Sequence, residues 1–365
     1  LKRNRGGLIV TCLIILIVGA ILLWFKPWKH AEEPIKPPEE KPEPTEAVAV
    51  PQLSAWLADW EWETGLADLK VMKEGLTSLQ LFASYFGAAD QLHFTEEFEE
   101  ALPELLKLYA PAELQSLYLT IVNDQFQENG AAIQKSPELI SRLMATSESR
   151  SKHVEELVAA VDRLGFGGME IDYEQIPEAD WEKVLLFYSE LYERLQAKGK
   201  VLRIVLEPRV KIEELKLPEG PEYVMMAYNL YGYHSGPGPK ADHAFIAGLA
   251  NRMEHLPGKP AIAFSVGGFD WDENAKVKAL TEKQAALLLK QTDAELKRDD
   301  ASGSVYFDYT AKDGAKHQVW YADEETLKQW IDTAQQAGYS KVAIWRLGEL
   351  EEASLNNLKS YVMRE

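Results

Sequence analysis

The chain carries one cysteine, Cys12, so no disulfide can close within it and no cysteine-based zinc framework is available. Its seven histidines fall at no His-Glu-x-x-His or comparable spacing, which leaves a metal-dependent mechanism without a ligand set. Positive charge is also in short supply. Against 58 Asp and Glu stand 39 Lys and Arg, a net charge of -19 over 365 residues, and no basic stripe with interleaved aromatics occurs. Nucleic-acid binding needs a basic face, so no nucleic-acid partner is expected. No Gly-x-Gly-x-x-Gly turn follows the first strand-like run, which argues against a dinucleotide site. Internal repeats are absent. Hydrophobic residues, in contrast, make up 46% of the chain, and 10 Trp and 15 Tyr are present, enough for a sizeable core and for aromatic faces of the kind that hold sugars.

The first 30 residues read as a membrane anchor. Residues 8–25 form an apolar run unbroken by charge, about long enough to cross a bilayer as a helix. Lys2, Arg3 and Arg5 precede it, which places that end in the cytoplasm, and Trp24 and Trp28 sit where interfacial aromatics belong. A cleaved signal peptide is the rival, but the run is long for one and no small-x-small cleavage site follows it. Cys12 lies inside the run, which speaks against a lipoprotein signal. Residues 31–52 alternate proline with glutamate, among them Pro37, Pro38, Glu39, Glu40, Pro42 and Glu43. Such a segment buries too little apolar surface to fold and is kept extended by proline and charge repulsion, like a stalk. The lipid bilayer is thus an expected partner, with residues 53–365 forming an extracytoplasmic globular domain at the cell membrane.

Within that domain, apolar strand-like runs alternate with amphipathic helical patterns. The candidate strands are 55–60, 79–86, 117–122, 168–173, 202–206, 223–228, 261–266 and 342–345. Helical stripes recur at 153–164, 179–197, 282–297 and 325–337; in the first, Val154, Leu157, Val158 and Val161 share one face. Strands that alternate with helices imply a parallel sheet, and eight of them fit an α/β (β/α)8 TIM barrel, with an open doubly wound sheet as the rival. Residues 304–326 break the rhythm. Two β-rich runs flank Asp313-Gly314, which signals a small β-hairpin insertion between strands seven and eight.

The chemistry concentrates in Phe166-Gly167-Gly168-Met169-Glu170-Ile171-Asp172-Tyr173-Glu174. Alternate strand residues share a face, so Glu170, Asp172 and Glu174 point one way. Carboxyls this close cannot all ionise cheaply, so at least one pKa should rise, and a carboxylic acid that holds its proton near neutrality is what a glycosidase uses to protonate a leaving oxygen. An exposed edge strand would give the same alternation with Met169, Ile171 and Tyr173 inward. In a barrel, function gathers at the carboxyl ends of the strands. Glu174 lies at that end of the fourth strand and Tyr228 and Asn229 at the sixth. Asp270 and Trp271 follow the seventh, and Trp345 and Arg346 end the eighth. Tyr228 and Trp345 read equally well as core aromatics, Asp270 and Arg346 as supporting residues, and the Glu207-Pro208-Arg209 run after the fifth strand as a source of an ion pair to the acids.

The fourth-strand segment resembles the Asp-Gly-x-Asp-x-Asp-x-Glu signature of glycoside hydrolase family 18. Met226-Ala227-Tyr228-Asn229 is similar to the family's sixth-strand Met-x-Tyr-Asp. Ser235-Gly236-Pro237-Gly238-Pro239 and residues 305–323 resemble a loop and a hairpin insertion of the spore-germination-type branch, and Ala343-Ile344-Trp345-Arg346-Leu347-Gly348 resembles its eighth strand. The likeness spans about residues 79–352. It implies a retaining reaction in which the sugar's own 2-acetamido oxygen, not an enzyme carboxylate, attacks the anomeric carbon. By the same likeness Glu174 is the general acid and later the base, Asp172 holds the acetamido N–H, and Tyr228 orients the acetamido carbonyl. Trp345 is the floor under the sugar, with Asn229, Met226 and Glu170 as further substrate-binding positions. No cofactor or metal is implied. The glycan partner implied is β-linked and contains N-acetylglucosamine, with peptidoglycan more natural than chitin for an anchored envelope protein.

Three departures stand out. Gly167 takes the place of the family's first Asp, and Glu170 that of its second; Asn229 also replaces an acid. Fewer carboxylates should lower the proton affinity of Glu174 relative to a more acidic pocket. They also leave open a protein that binds glycan on the same barrel with little or no turnover, or an envelope scaffold with no sugar site.

Overall fold

The computed structural model describes residues 51–128 and 131–362. Eight parallel strands close into a barrel: β1 (Gln52–Ala58), β2 (Ser78–Phe86), β3 (Leu117–Phe126), β4 (Gly168–Asp172), β5 (Val201–Leu206), β6 (Glu222–Met226), β7 (Ala261–Ser265) and β8 (Lys341–Leu347). β8 pairs with β1, which seals the ring. All eight strands expected from the sequence are present, displaced by a few residues at their ends, and closure of the ring excludes the open doubly wound sheet. Short antiparallel strands at Leu92–Phe94 and Ala132–Ile133 extend β2 and β3 at the carboxyl rim.

Each strand is buried on both sides, the usual condition of a parallel sheet under helices. In β4, Met169 and Ile171 point outward into the main core against Phe187 and Leu191 of the helix Trp181–Gln196, while Glu170 and Asp172 point into the barrel. The alternation expected for an exposed edge strand is therefore an alternation between two interiors. The barrel interior also receives Trp56, Phe82, Val122, Val205 and Met226. Polar residues join them in one layer, where parallel registry sets Thr120 of β3 and Arg203 of β5 on either side of Glu170.

Local sequence fixes how β4 is entered. The helix Ser147–Leu164 starts at Thr146, whose hydroxyl accepts from Ser149 N–H, and stops at Gly165 with φ +70°. Two residues on, Gly167 passes so close to the preceding segment that an added Cβ would lie 2.0 Å from the Gln115 carbonyl oxygen. The acid of the family signature has no room at this position, so Gly167 is a condition of the packing here and not simply a missing acceptor.

The insertion between β7 and β8 is larger than the expected hairpin. The hairpin exists, as Val305–Thr310 paired antiparallel with Lys316–Ala322 around the Asp313-Gly314 turn. It belongs to a five-stranded antiparallel sheet with Gly267–Asp272, Val277–Leu280 and Lys297–Arg298, against which the helix Glu282–Thr292 packs. The chain leaves β7 directly into this sheet. A local turn signal marks one hairpin, but pairing between Gly267–Asp272 and Lys316–Ala322 is a long-range event that no turn announces. Among the described residues no helix is long and apolar enough to cross a membrane. The apolar run at 8–25 and most of the Pro/Glu segment at 31–52 lie outside the described residues.

Candidate active site

At the carboxyl rim a cavity of about 500 Å³ opens, lined among others by Asp172, Glu174, Met226, Tyr228, Asn229 and Trp345. Six of the seven positions given a role by the family resemblance thus share one cavity. The seventh, Glu170, does not line it. Glu170 is fully buried below. There its Oε1 accepts from Trp56 Nε1 at 2.5 Å and Thr120 Oγ1 at 2.8 Å, and its Oε2 lies 2.8 Å from Arg203 Nε. A carboxylate engaged in this way has no free face for a sugar, so the expected substrate contact gives way to a structural one beneath Asp172.

Asp172 is nearly buried, and its Oδ1 has no hydrogen-bond partner among the described residues. Burial first, then the fields of Glu174 and Glu170, hold its carboxyl well above the ordinary aspartate range. Asp172 lines the cavity while its unpartnered Oδ1 is enclosed, and a carboxyl on the cavity wall is suited to meet an N–H donor from a ligand. Tyr228 is buried too, and burial, with the fields of Asp172, Glu174 and Glu170, keeps its phenol protonated and able to donate. Asn229, at φ +65°, turns the chain at the end of this segment.

Glu174 stands just beyond β4, held by a reciprocal backbone clamp. Asn123 Oδ1 accepts from its N–H at 3.0 Å, and Asn123 Nδ2 donates to its carbonyl at 2.9 Å. Burial raises its pKa to about 7, with Glu207 pushing the same way and the nearby Lys135 ammonium pulling against both. All three alternating acids are shifted upward, but burial is the first cause in each; repulsion within the alternating set contributes at Asp172, while Glu170 is raised by burial alone against the pull of Arg203, and the acid that pushes on Glu174 is Glu207. Lys135 Nζ sits 2.5 Å from Glu174 Oε2.

One side of the cavity is aromatic. Trp345 packs edge-on against Phe82 with centroids 4.8 Å apart and lies 6.3 Å from Trp60, which is 49% exposed. Arg346 supports this shelf: it pairs with Glu61 Oε2 at 2.7 Å and lies over the Trp60 ring. Asp59, also at the cavity, accepts from Tyr85 Oη at 2.7 Å and Thr95 Oγ1 at 2.5 Å.

Asp270 and Trp271, expected on this rim, belong to the insertion instead. Asp270 accepts from Tyr309 Oη at 2.8 Å and meets His317 Nδ1 at 2.9 Å, and Trp271 Nε1 donates to Ser235 O at 3.2 Å. The cation that pairs with the buried acid comes from within β5, as Arg203, rather than from Arg209 after it. Sequence reading passed over Lys135, Asn123 and Trp60. Trp60 could have been found as an aromatic just past the end of β1; Lys135 and Asn123 belong to the β3 end and its loop, where no local pattern marks them. Among the described residues, no group of three or more His, Cys, Asp or Glu side chains is placed to hold a metal ion.

Comparison with known proteins agrees with the barrel fold. The cortical fragment-lytic enzyme of Bacillus subtilis is 22% identical over 268 residues, covering 67% of this chain and 60% of that protein. Its counterpart from Bacillus anthracis is 21% identical over 236 residues, 58% of this chain and 54% of that protein. The chain thus spans a little over half the length of these curated relatives. Among solved structures, the Bacillus cereus spore cortex-lytic enzyme SleL matches with a TM-score of 0.71 at 17% identity, over 86% of this chain and 74% of that one. A chitinase from Chromobacterium violaceum matches at 0.72 and 19% identity, over 86% and 100%. These likenesses establish the same fold. The model of glycosyl hydrolases family 18 matches residues 134–349, more than half of the sequence and including β4 through β8, and the chain belongs to that family.

Proposed function

We propose that this protein hydrolyses a β-linked glycan containing N-acetylglucosamine, by a retaining reaction in which the substrate's acetamido group is the nucleophile. The observation that carries this reading is the convergence of Glu174, Asp172, Tyr228 and Trp345 on one cavity. In the proposed cycle Glu174, protonated near neutrality, donates to the leaving oxygen. Asp172 accepts the acetamido N–H and steadies the developing positive charge, and Tyr228 donates to the acetamido carbonyl so that its oxygen faces the anomeric carbon. Trp345 forms an apolar floor under the sugar ring. Glu174, now ionised, then takes a proton from water as the cyclic intermediate opens.

The names of the cortex-lytic relatives, together with the apolar run and stalk-like segment in the sequence, favour peptidoglycan over chitin. They also favour a domain tethered to the outer face of the cell membrane by residues 8–25. The decisive experiment is Glu174→Gln, assayed on N-acetylglucosamine oligomers and purified peptidoglycan. We expect kcat to fall by about a hundred- to ten-thousand-fold with the fold intact. An inverted anomer, or full activity of the variant, would reject the mechanism. Membrane partition of the full chain, lost when Leu16→Arg and Val18→Arg interrupt the apolar run, tests the tether. One observation favours a second reading, glycan binding with little turnover: Lys135 covers an oxygen of the acid. That reading predicts oligomer binding by wild type and Glu174→Gln alike, with cleavage by neither.

A further inference from the structure

The ion pair between Lys135 and Glu174 is an unusual arrangement for a proton donor. A general acid must carry its proton and face the leaving oxygen. Here an ammonium lies 2.5 Å from Glu174 Oε2, inside the same cavity that would receive the glycan. We propose that Lys135 is a positioning residue that acts as a displaceable cap: it occupies one face of Glu174 in the free protein, and the arriving glycan drives it off. This proposal rests on the hydrolase reading above.

The loop is built to let the side chain move while its root stays fixed. Lys135 has φ +51°, its N–H donates to Asp124 Oδ1 at 2.7 Å, and the next residue, Ser136, donates its N–H to Asn123 O at 2.9 Å. Asn123 is also the clamp on the Glu174 backbone, so the cap and the acid are referred to one residue. The Lys135 side chain is 38% exposed, against 13% for Glu174, so of the two it is the lysine that borders solvent.

The surrounding charges make uncapping and protonation one event. Glu174 is faced by Lys135 and Asp124 from the end of β3 and its loop, and by Asp172, with Glu170 beneath, from β4. Glu207 faces it from the end of β5 and the Tyr228 phenol from the end of β6, while Glu97 and Asp59 share the cavity wall. Lys135 is the one cation in that set at the acid. With the ammonium in place the carboxylate is favoured; with it withdrawn, the remaining neighbours are acidic or neutral and favour the carboxylic acid. Binding therefore recruits a proton from solvent to Glu174, in the form the reaction needs.

The test measures proton uptake when a thio-linked, uncleavable tetramer of N-acetylglucosamine binds, by calorimetry at pH 7.5–8 in buffers of different ionisation enthalpy. Alongside it, kcat/KM is followed against pH on the cleavable tetramer. Wild type should take up a substantial fraction of a proton. Lys135→Met should take up less, and its alkaline limb should move up by about one pH unit or more, the lower end of the effect of a close opposite charge. Lys135→Arg should restore both readouts toward wild type. A Lys135→Met protein that folds, binds, and shows the wild-type limb and wild-type proton uptake overturns the cap while leaving the hydrolase reading intact. Proton uptake in wild type, lost in Lys135→Met, without hydrolysis at any pH retains the cap and removes the hydrolase reading. Failure of wild type to bind the tetramer rejects both.

Discussion

Replacement of Arg203 by Met should show how far the barrel interior depends on one ion pair. Arg203 and Glu170 are 3% and 0% exposed, with Arg203 Nε 2.8 Å from Glu170 Oε2. Removing one partner of a buried pair typically costs about 3–5 kcal/mol, because the other charge is left uncompensated. Glu170 would still accept from Trp56 and Thr120, so a loss of about 3 kcal/mol at pH 8 is the reasoned value. The loss should depend on pH. Burial already lifts the Glu170 pKa above its ordinary value, and without the guanidinium it rises further. The folded state then binds a proton that the unfolded state releases. Stability of the variant should fall by up to about 1.4 kcal/mol per pH unit above the ordinary glutamate range, until the folded pKa is passed. Urea unfolding followed by tryptophan fluorescence at pH 5 and pH 8 measures this directly. Adding Glu170→Met should recover most of the loss, since an apolar pair of similar volume often serves as well as a buried ion pair. A penalty under about 1 kcal/mol at pH 8, or one independent of pH, would refute the reasoning.

Other consequences are more local. With Glu174 raised to about 7, kcat/KM on oligomers should fall tenfold per unit once pH exceeds that value, because the donor is then ionised. Asn123→Ala removes both hydrogen bonds to the Glu174 backbone; we expect a stability loss of about 1–3 kcal/mol in urea and a lower kcat with KM less affected. Trp345→Ala should weaken tetramer binding by about tenfold in calorimetry, through loss of the shelf it forms with Phe82 and Trp60. Gly167→Asp, which would restore the family's first acid, should instead yield insoluble or unfolded protein, since its Cβ meets the Gln115 carbonyl; soluble protein with a normal melting curve would contradict that packing.

The sequence alone determined the eight barrel strands and the rim on which the chemistry collects, because each follows from a local period; the upward pKa shifts of the acids come first from burial, which the closed barrel supplies. Alternation in 168–174 fixes which side chains share a face, and Asp172, between the other two acids, feels the repulsion of both. Long-range pairing settled the rest. Barrel registry carried Arg203 to Glu170 and turned an expected sugar contact into a buried ion pair. Antiparallel pairing of Gly267–Asp272 with Lys316–Ala322 drew Asp270 and Trp271 away from the cavity. The loop after β3 brought Lys135 onto Glu174 across 39 residues of chain, a meeting that depends on how β3 and β4 lie side by side and not on any pattern within either.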